Sequence, residues 1–258
     1  MRTLSICIPT YEMHGLGEKF LRQSFDVLTQ QTFKDFDVVI SDHSKTDVIK
    51  NLCDEYQGKL KINYFKNIEK VGSSSSNINN ALDKAEGQLL KILFQDDFLY
   101  SKTSLEEIVE NFDLEKDVWL VTASIQSKDG VTFYRPVHPR YEDRTILKKN
   151  TISSPSVLTI KNDNHILFDE NLIWWMDSDY YKRCYHAFGE PKILDAINVV
   201  NRVGEHQVTN TLVNEEVREW EYQYILKKYK ARYLKALIII AKLKRIVRHI
   251  KQVIKSNI

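Results

Sequence analysis

Cysteine is scarce: Cys7, Cys53 and Cys184 are the only three in 258 residues. Odd in number, widely scattered and without metal-ligand spacing, they suggest neither a disulfide framework nor a zinc site and fit a reducing cytoplasm. Proline (5) and glycine (8) are also few. Nowhere do they gather with serine into a linker, so the first and second halves read as one continuous domain. No repeat of solenoid length is visible. The apolar stretch from Leu4 to Pro9 is far too short for a secretion signal and reads as a first strand. The run Ala236 to Ala241 is too short to cross a bilayer. Acidic residues are missing altogether after Glu221, where Lys227, Lys228, Lys230, Arg232, Lys235, Lys242, Lys244, Arg245, Arg248, Lys251 and Lys255 follow. Since the whole chain is only +2, the residues before this tail are net acidic, and the tail has a task of its own.

What is present is an alternation of strand and helix patterns. Residues 3 to 9 and 36 to 42 are short runs rich in Val and Ile that end in polar residues, as buried parallel strands do. Between them Phe20, Leu21, Phe25 and Leu28 recur at helical spacing, and Val48, Ile49, Leu52 and Tyr56 do so after the second run. Strands are expected at Lys61 to Phe65 and Leu89 to Phe94, around a Gly-Ser turn at 72 to 76 and a helix from Asn77 to Ala85. This is the βαβ pattern of an α/β sheet, in which ligands bind beyond the carboxyl ends of the strands. Thr10, Asp42 and Gln95 therefore belong to one crevice. Further on, helices are expected at 103 to 112 and 176 to 188, strands at 117 to 125 and 193 to 200, and a hairpin near Asp129-Gly130.

Several residues carry chemistry. Asp96 and Asp97 directly follow an apolar strand, and paired carboxylates there suit a hard divalent cation, although such pairs also cap helices or lie on solvated turns. Asp42 can accept a hydrogen bond from a base N–H or a ribose hydroxyl, or it can shape a turn. Tyr11, in Pro9-Thr10-Tyr11-Glu12, can stack on a base or pack in its loop. Lys91 reads either as a phosphate contact or as an exposed strand residue. Trp174 and Trp175 read as a sugar platform or as core, and His206 as a metal ligand or a structural histidine.

Together these features resemble the family 2 inverting glycosyltransferases with a GT-A fold. The resemblance rests on Ser5 to Glu12, on Val38 to Ser44, and on Gly72 and Asn77 ahead of Ala85-Glu86-Gly87. It continues through Phe94-Gln95-Asp96-Asp97 and residues 175 to 183, five blocks in order across about 180 residues. It implies a Rossmann-like, mostly parallel central sheet flanked by helices, with a C-terminal amphipathic helical extension. The implied organisation is a nucleotide-sugar-binding half at 1–100, an acceptor and catalytic half at 101–215, and a basic tail at 216–258.

By the same resemblance Pro9, Thr10, Tyr11, Glu12 and Asp42 hold the nucleoside, and Gly72 and Asn77 lie near the donor. Asp96 and Asp97 occupy the metal and ribose motif, with Phe94 and Gln95 standing where many members carry another acid. Asp177 matches the aspartate of the Glu-Asp motif, Met176 replacing the glutamate, and is the expected base that takes the acceptor proton, with Asp179 in reserve. The expected cofactor is Mn2+ or Mg2+, and the expected partners are a nucleotide diphosphate sugar and a saccharide or lipid-linked acceptor.

From Tyr222 onward apolar residues recur amid the lysines and arginines, as in an amphipathic helix bound to anionic lipid at the inner face of the cell membrane. Packing on the body or on a second subunit, as a homo-oligomer, is the other reading of that stripe, and nucleic acid is not expected as a partner. Other functions compatible with the pattern are a sugar-nucleotide-binding or membrane scaffold protein without catalysis, and a nucleotidyltransferase. The latter lacks its Gly-rich loop after the first strand.

Overall fold

The strands that build the site are those whose side chains leave water completely. All seven residues of β1 (Leu4–Thr10) and of β2 (Phe36–Asp42) are buried. They pair in parallel from Leu4 against Phe36 to Thr10 against Asp42, which sets the two polar ends side by side. The structure is a computed structural model that describes residues 3–142 and 150–229. It comprises two compact units, Met1–Leu212 and Val213–Ile258.

The first unit is built on one mixed sheet. Its other strands are β3 (Ile62–Lys66), β4 (Leu89–Ile92), β5 (Phe98–Leu99), β6 (Trp119–Ser127), β7 (Phe133–Val137), β8 (Leu158–Lys161) and β9 (Lys192–Arg202). Among the described residues they run in the order β3-β2-β1-β4-β8-β6-β9-β5, with β7 paired to β6. The long ladders β1–β2, β2–β3 and β6–β9 are parallel, whereas β4–β8, β6–β8 and β5–β9 are short antiparallel pairings. The helices of this unit are α1 (Gly17–Thr29), α2 (Val48–Tyr56), α3 (Ser74–Asp83), α4 (Ser104–Asn111), α5 (Met176–Phe188) and α6 (Val208–Thr211). The expected apolar stripes face inward: Phe20, Leu21, Phe25 and Leu28 of α1, and Ile49, Leu52 and Tyr56 of α2, are buried.

Two boundaries differ from expectation for local reasons. Helix α3 starts at Ser74 rather than Asn77, because the Ser73 hydroxyl accepts a hydrogen bond from the Ser76 N–H and caps the first turn, a contribution of about 1 kcal/mol. Strand β4 stops at Ile92, two residues before Phe94. The chain then turns, the Asp97 N–H bonding the Phe94 carbonyl at 2.9 Å, and carries the acidic pair to the sheet edge. The hairpin at Asp129-Gly130 joins β6 to β7, with Gly130 at φ +81° and Asp129 accepting from the N–H groups of Val131 and Thr132.

The second unit contributes one described helix, α7 (Glu215–Lys228). The Asn214 side chain accepts from the Val217 N–H, with Glu215 and Glu216 in the first turn and Lys227 and Lys228 in the last. Both ends complement the helix dipole. The expected amphipathic stripe beyond it, at 230–258, lies outside the described residues. Among the described residues no helix is long and apolar enough to cross a membrane.

Candidate functional site

A cleft of about 450 Å³ opens where the parallel strands end. It is lined by Pro9, Tyr11 and Glu12 after β1, His43 after β2, Gly72 and Asn77 around the start of α3, and Asp96 and Asp97 after β4. From the second half of the domain come Asp177, Arg202 and His206. Residues from distant stretches thus converge because the parallel strands β1, β2 and β4 end at this edge, while the segment before the antiparallel β8 and the start of α5 reach it from the other half.

Thr10 and Asp42 lie beneath the cleft, both 0% exposed. The Asp42 carboxylate accepts from the Thr10 hydroxyl, the Ser44 N–H and the Tyr64 hydroxyl (2.8 Å), and Lys66 is 3.5 Å away. Fully buried, it fixes the turn that presents His43. Asn77 donates to the Thr10 carbonyl and accepts from the Ser41 hydroxyl at 2.6 Å, tying α3 to the ends of β1 and β2. Glu12 accepts from the N–H groups of Thr46 and Lys45. Partial burial pushes its carboxyl up, but these backbone bonds outweigh that and hold it below its usual value.

The two adjacent aspartates are not equivalent. Asp97 is 4% exposed, and its oxygens accept from the Arg202 N–H, the Asn201 side chain and the Ser154 hydroxyl, each at 2.9 Å. Burial, and then the neighbouring Asp96 charge, push it up to about 7. Asp96 faces the cleft instead, with an oxygen 3.3 Å from Nε2 of His206. That nitrogen is buried and has no hydrogen-bond partner in the structure, while its ring packs on Phe20 at 4.9 Å. The Asp96 carboxylate and the unpartnered Nε2 of His206, side by side in residues that line the cleft, could hold a divalent cation. Among the described residues no group of three or more His, Cys, Asp or Glu side chains is arranged to hold a metal ion.

Around this pair, Gln95 bridges the Tyr11 N–H and the Gly17 carbonyl. Arg202 stacks on Phe20 at 4.3 Å, donates to the Asp96 carbonyl and bonds Gln23. Burial holds its guanidinium below the ordinary value. Lys91 is neither in the cleft nor exposed. It is 0% exposed under the floor and donates to the Ser156 carbonyl.

Asp177 lines the cleft from the first turn of α5 and accepts from the Asn150 side chain at 2.6 Å. It is not the N-cap of the helix, a position held by Trp175, whose side chain makes no capping bond. Asp179, two residues on and roughly 200° around the helix, is 0% exposed and pairs with Arg183 at 2.7 Å. Trp174 lines the cleft and stacks on Trp175 at 5.3 Å. Sequence reasoning missed Arg202, Asn201, Ser154 and His43. For Arg202 and Asn201 the signal was their place at the carboxyl end of an apolar strand, and for His43 its place next to Asp42. For Ser154 there was none.

Comparison with known proteins finds relatives of the chain as a whole. The chain is 26% identical over 190 residues to an uncharacterized glycosyltransferase of Methanocaldococcus jannaschii, covering 70% of this chain and 64% of that protein. It is 24% identical over 231 residues to the poly(ribitol-phosphate) beta-N-acetylglucosaminyltransferase TarS of Staphylococcus aureus, covering 85% of this chain and 39% of TarS. The chain thus spans less than two thirds of the length of these relatives. The crystal structure of S. aureus TarS 1-349 in complex with UDP-GlcNAc matches with a TM-score of 0.66 at 22% identity, over 85% of this chain and 64% of that one. Residues 5–163 match the family model described as Glycosyl transferase family 2. With a matching profile across more than half its length and the fold of a solved glycosyltransferase, the chain belongs to glycosyl transferase family 2 and has the GT-A architecture.

Proposed function

We propose that this protein transfers a sugar, with inversion, from a nucleoside diphosphate carrier to an acceptor hydroxyl. The observation that carries the reading is that Asp96 with His206, and Asp177 on a separate helix, face one cleft at the carboxyl edge of the sheet. Tyr11 and the loop after His43 flank the space for the nucleoside, and UDP-GlcNAc, the ligand in the TarS structure, is the first donor to test. Asp96 and His206 would hold Mn2+ or Mg2+, which supplies charge stabilisation to the departing diphosphate. Asp97 keeps that turn in shape through its bonds to Arg202, Asn201 and Ser154. Asp177 takes the proton of the acceptor hydroxyl as that oxygen attacks the anomeric carbon, its carboxylate oriented by Asn150. Trp174 offers an apolar face on which a sugar ring can lie.

The acceptor belongs to surface glycan synthesis in this reading, as a saccharide or lipid-linked chain. The basic tail at 216–258 brings the enzyme to the anionic inner face of the membrane. The test is release of nucleoside diphosphate from a panel of donor sugars with Mn2+, in wild type and Asp177→Asn. The variant should lose turnover by about 10²- to 10⁴-fold while binding the donor as tightly as wild type. Wild-type turnover in the variant would remove Asp177 from the reaction.

A further inference from the structure

His43 is a cleft residue to which the reaction above gives no part. It follows β2, is 6% exposed, and both of its ring nitrogens meet the backbone of one segment, the connection between β3 and α3. The Gly72 N–H donates to Nδ1 at 3.4 Å, and Nε2 lies 3.1 Å from the Glu69 carbonyl oxygen. A nitrogen that accepts from an N–H carries no proton, and a nitrogen facing a carbonyl must carry one. The two bonds together therefore require one species, the neutral imidazole protonated on Nε2.

The segment needs such a partner. Lys70 and Gly72 both sit in the left-handed region, at φ +47° and +96°, a conformation unfavourable for lysine. Val71 between them is 56% exposed, so apolar packing contributes little to holding it. Ser73 is anchored to α3 by the Ser76 and Asn77 N–H groups, but residues 69–72 have few other ties: the Ser73 N–H to the Lys70 carbonyl, the Glu69 N–H to Asn67, a long bond from the Ser76 hydroxyl to the Glu69 carbonyl, and the exposed Lys70–Glu170 ion pair. Val71 and Gly72 are also walls of the cleft.

We infer that His43 is a positioning residue, a latch that in its neutral form fixes the 69–73 wall of the donor cleft in one shape. Protonation places a hydrogen on Nδ1 against the Gly72 N–H, and that bond is lost. The charges acting on the ring are Asp42 on β2, which favours the proton, and Lys66 on β3, which opposes it together with burial. Glu69 and Lys70 belong to the latched segment itself. That the cleft takes a donor rests on the proposed function, whereas the latch is a property of the chain without nucleotide.

The test is amide hydrogen exchange of the full chain without ligand, corrected for intrinsic chemistry, at pH about 7.5 and about 4, the lower value set well beneath the ordinary histidine range because burial holds the His43 ring below it, with protonation confirmed by its nitrogen chemical shifts. In wild type, protection across residues 69–73 should fall about fivefold at the lower pH, the effect of losing one hydrogen bond, while β1 keeps its protection. In His43→Gln the segment should show the lower protection at both values. Nitrogen chemical shifts of His43 in wild type should report an unprotonated Nδ1 at the higher pH, a readout that needs no variant. Equal protection at both pH values in wild type, or a proton on Nδ1 at pH about 7.5, overturns the inference. Since no nucleotide is present, a failure of the donor assignment leaves this result intact.

Discussion

Replacing Lys91 by methionine should change how stability depends on pH, in a direction the structure dictates. Lys91 lies in β4 between β1 and β8, completely buried, with its ammonium donating to the Ser156 carbonyl. Burial pushes its pKa down to about 7, against the upward pull of Asp97. The unfolded chain keeps this proton to about pH 10.4, whereas the folded protein releases it near 7, so between those values the unfolded state binds more protons. Wild-type stability therefore rises with pH across that window, and the full penalty of the buried charge is present below it.

From pH 7 to 9.5 the gain is about 3 kcal/mol, at about 1.4 kcal/mol per unit beyond the folded pKa. Lys91→Met removes the titration. Any change in the bond to Ser156 as the ammonium loses its proton is already contained in the folded pKa, so it adds nothing further to the comparison. Without the neighbouring ammonium Asp97 holds its proton to higher pH, and a raised carboxyl loses stability as pH rises, which acts in the same direction. Urea unfolding at both pH values should show the stability difference, variant minus wild type, falling by about 3 kcal/mol between them. A difference that stays constant or grows would refute the reasoning.

Other variants test the frame of the cleft. Asp42→Ala strands the Tyr64 hydroxyl and the Ser44 N–H in the interior. It should cost about 4 kcal/mol and lower the melting temperature by roughly 10 °C, with Asp42→Asn less harmful; thermal unfolding within a degree or two of wild type would contradict the structural role. Gly17→Ala places a methyl 2.3 Å from the Tyr11 carbonyl and 2.8 Å from the Gln95 side chain. The backbone must move at a cost of about 1–3 kcal/mol, and nucleoside diphosphate affinity measured by calorimetry should weaken with it. Unchanged affinity would place Tyr11 away from the nucleoside.

Much of this was legible from pattern alone, because the parallel half of the sheet is written in fully apolar runs with polar ends. The runs ending at Thr10 and Asp42 stand where expected, as does the helix from Met176 to Phe188. The short antiparallel strands β5 and β8 were not, since two to four residues carry no period to read. Nor did adjacency distinguish Asp96 from Asp97. Which one turns inward depends on Ser154, Asn201 and Arg202, brought to that turn by β9 and the segment before β8. Lys91 misled in a similar way: a lysine within an apolar strand reads as surface or ligand, and its burial follows only from the strands packed on both sides.

The most direct test of the account is a calorimetric titration of UDP into the protein with and without Mn2+, in wild type, Asp96→Ala and Asp177→Asn. Wild type and Asp177→Asn should bind UDP more tightly when Mn2+ is present. Asp96→Ala should lose that enhancement by at least about tenfold, as expected when a ligand of the cation is removed. Equal metal-dependent binding in Asp96→Ala, or no binding of UDP by wild type, would contradict the claim that this cleft holds a nucleoside diphosphate through a cation on Asp96 and His206.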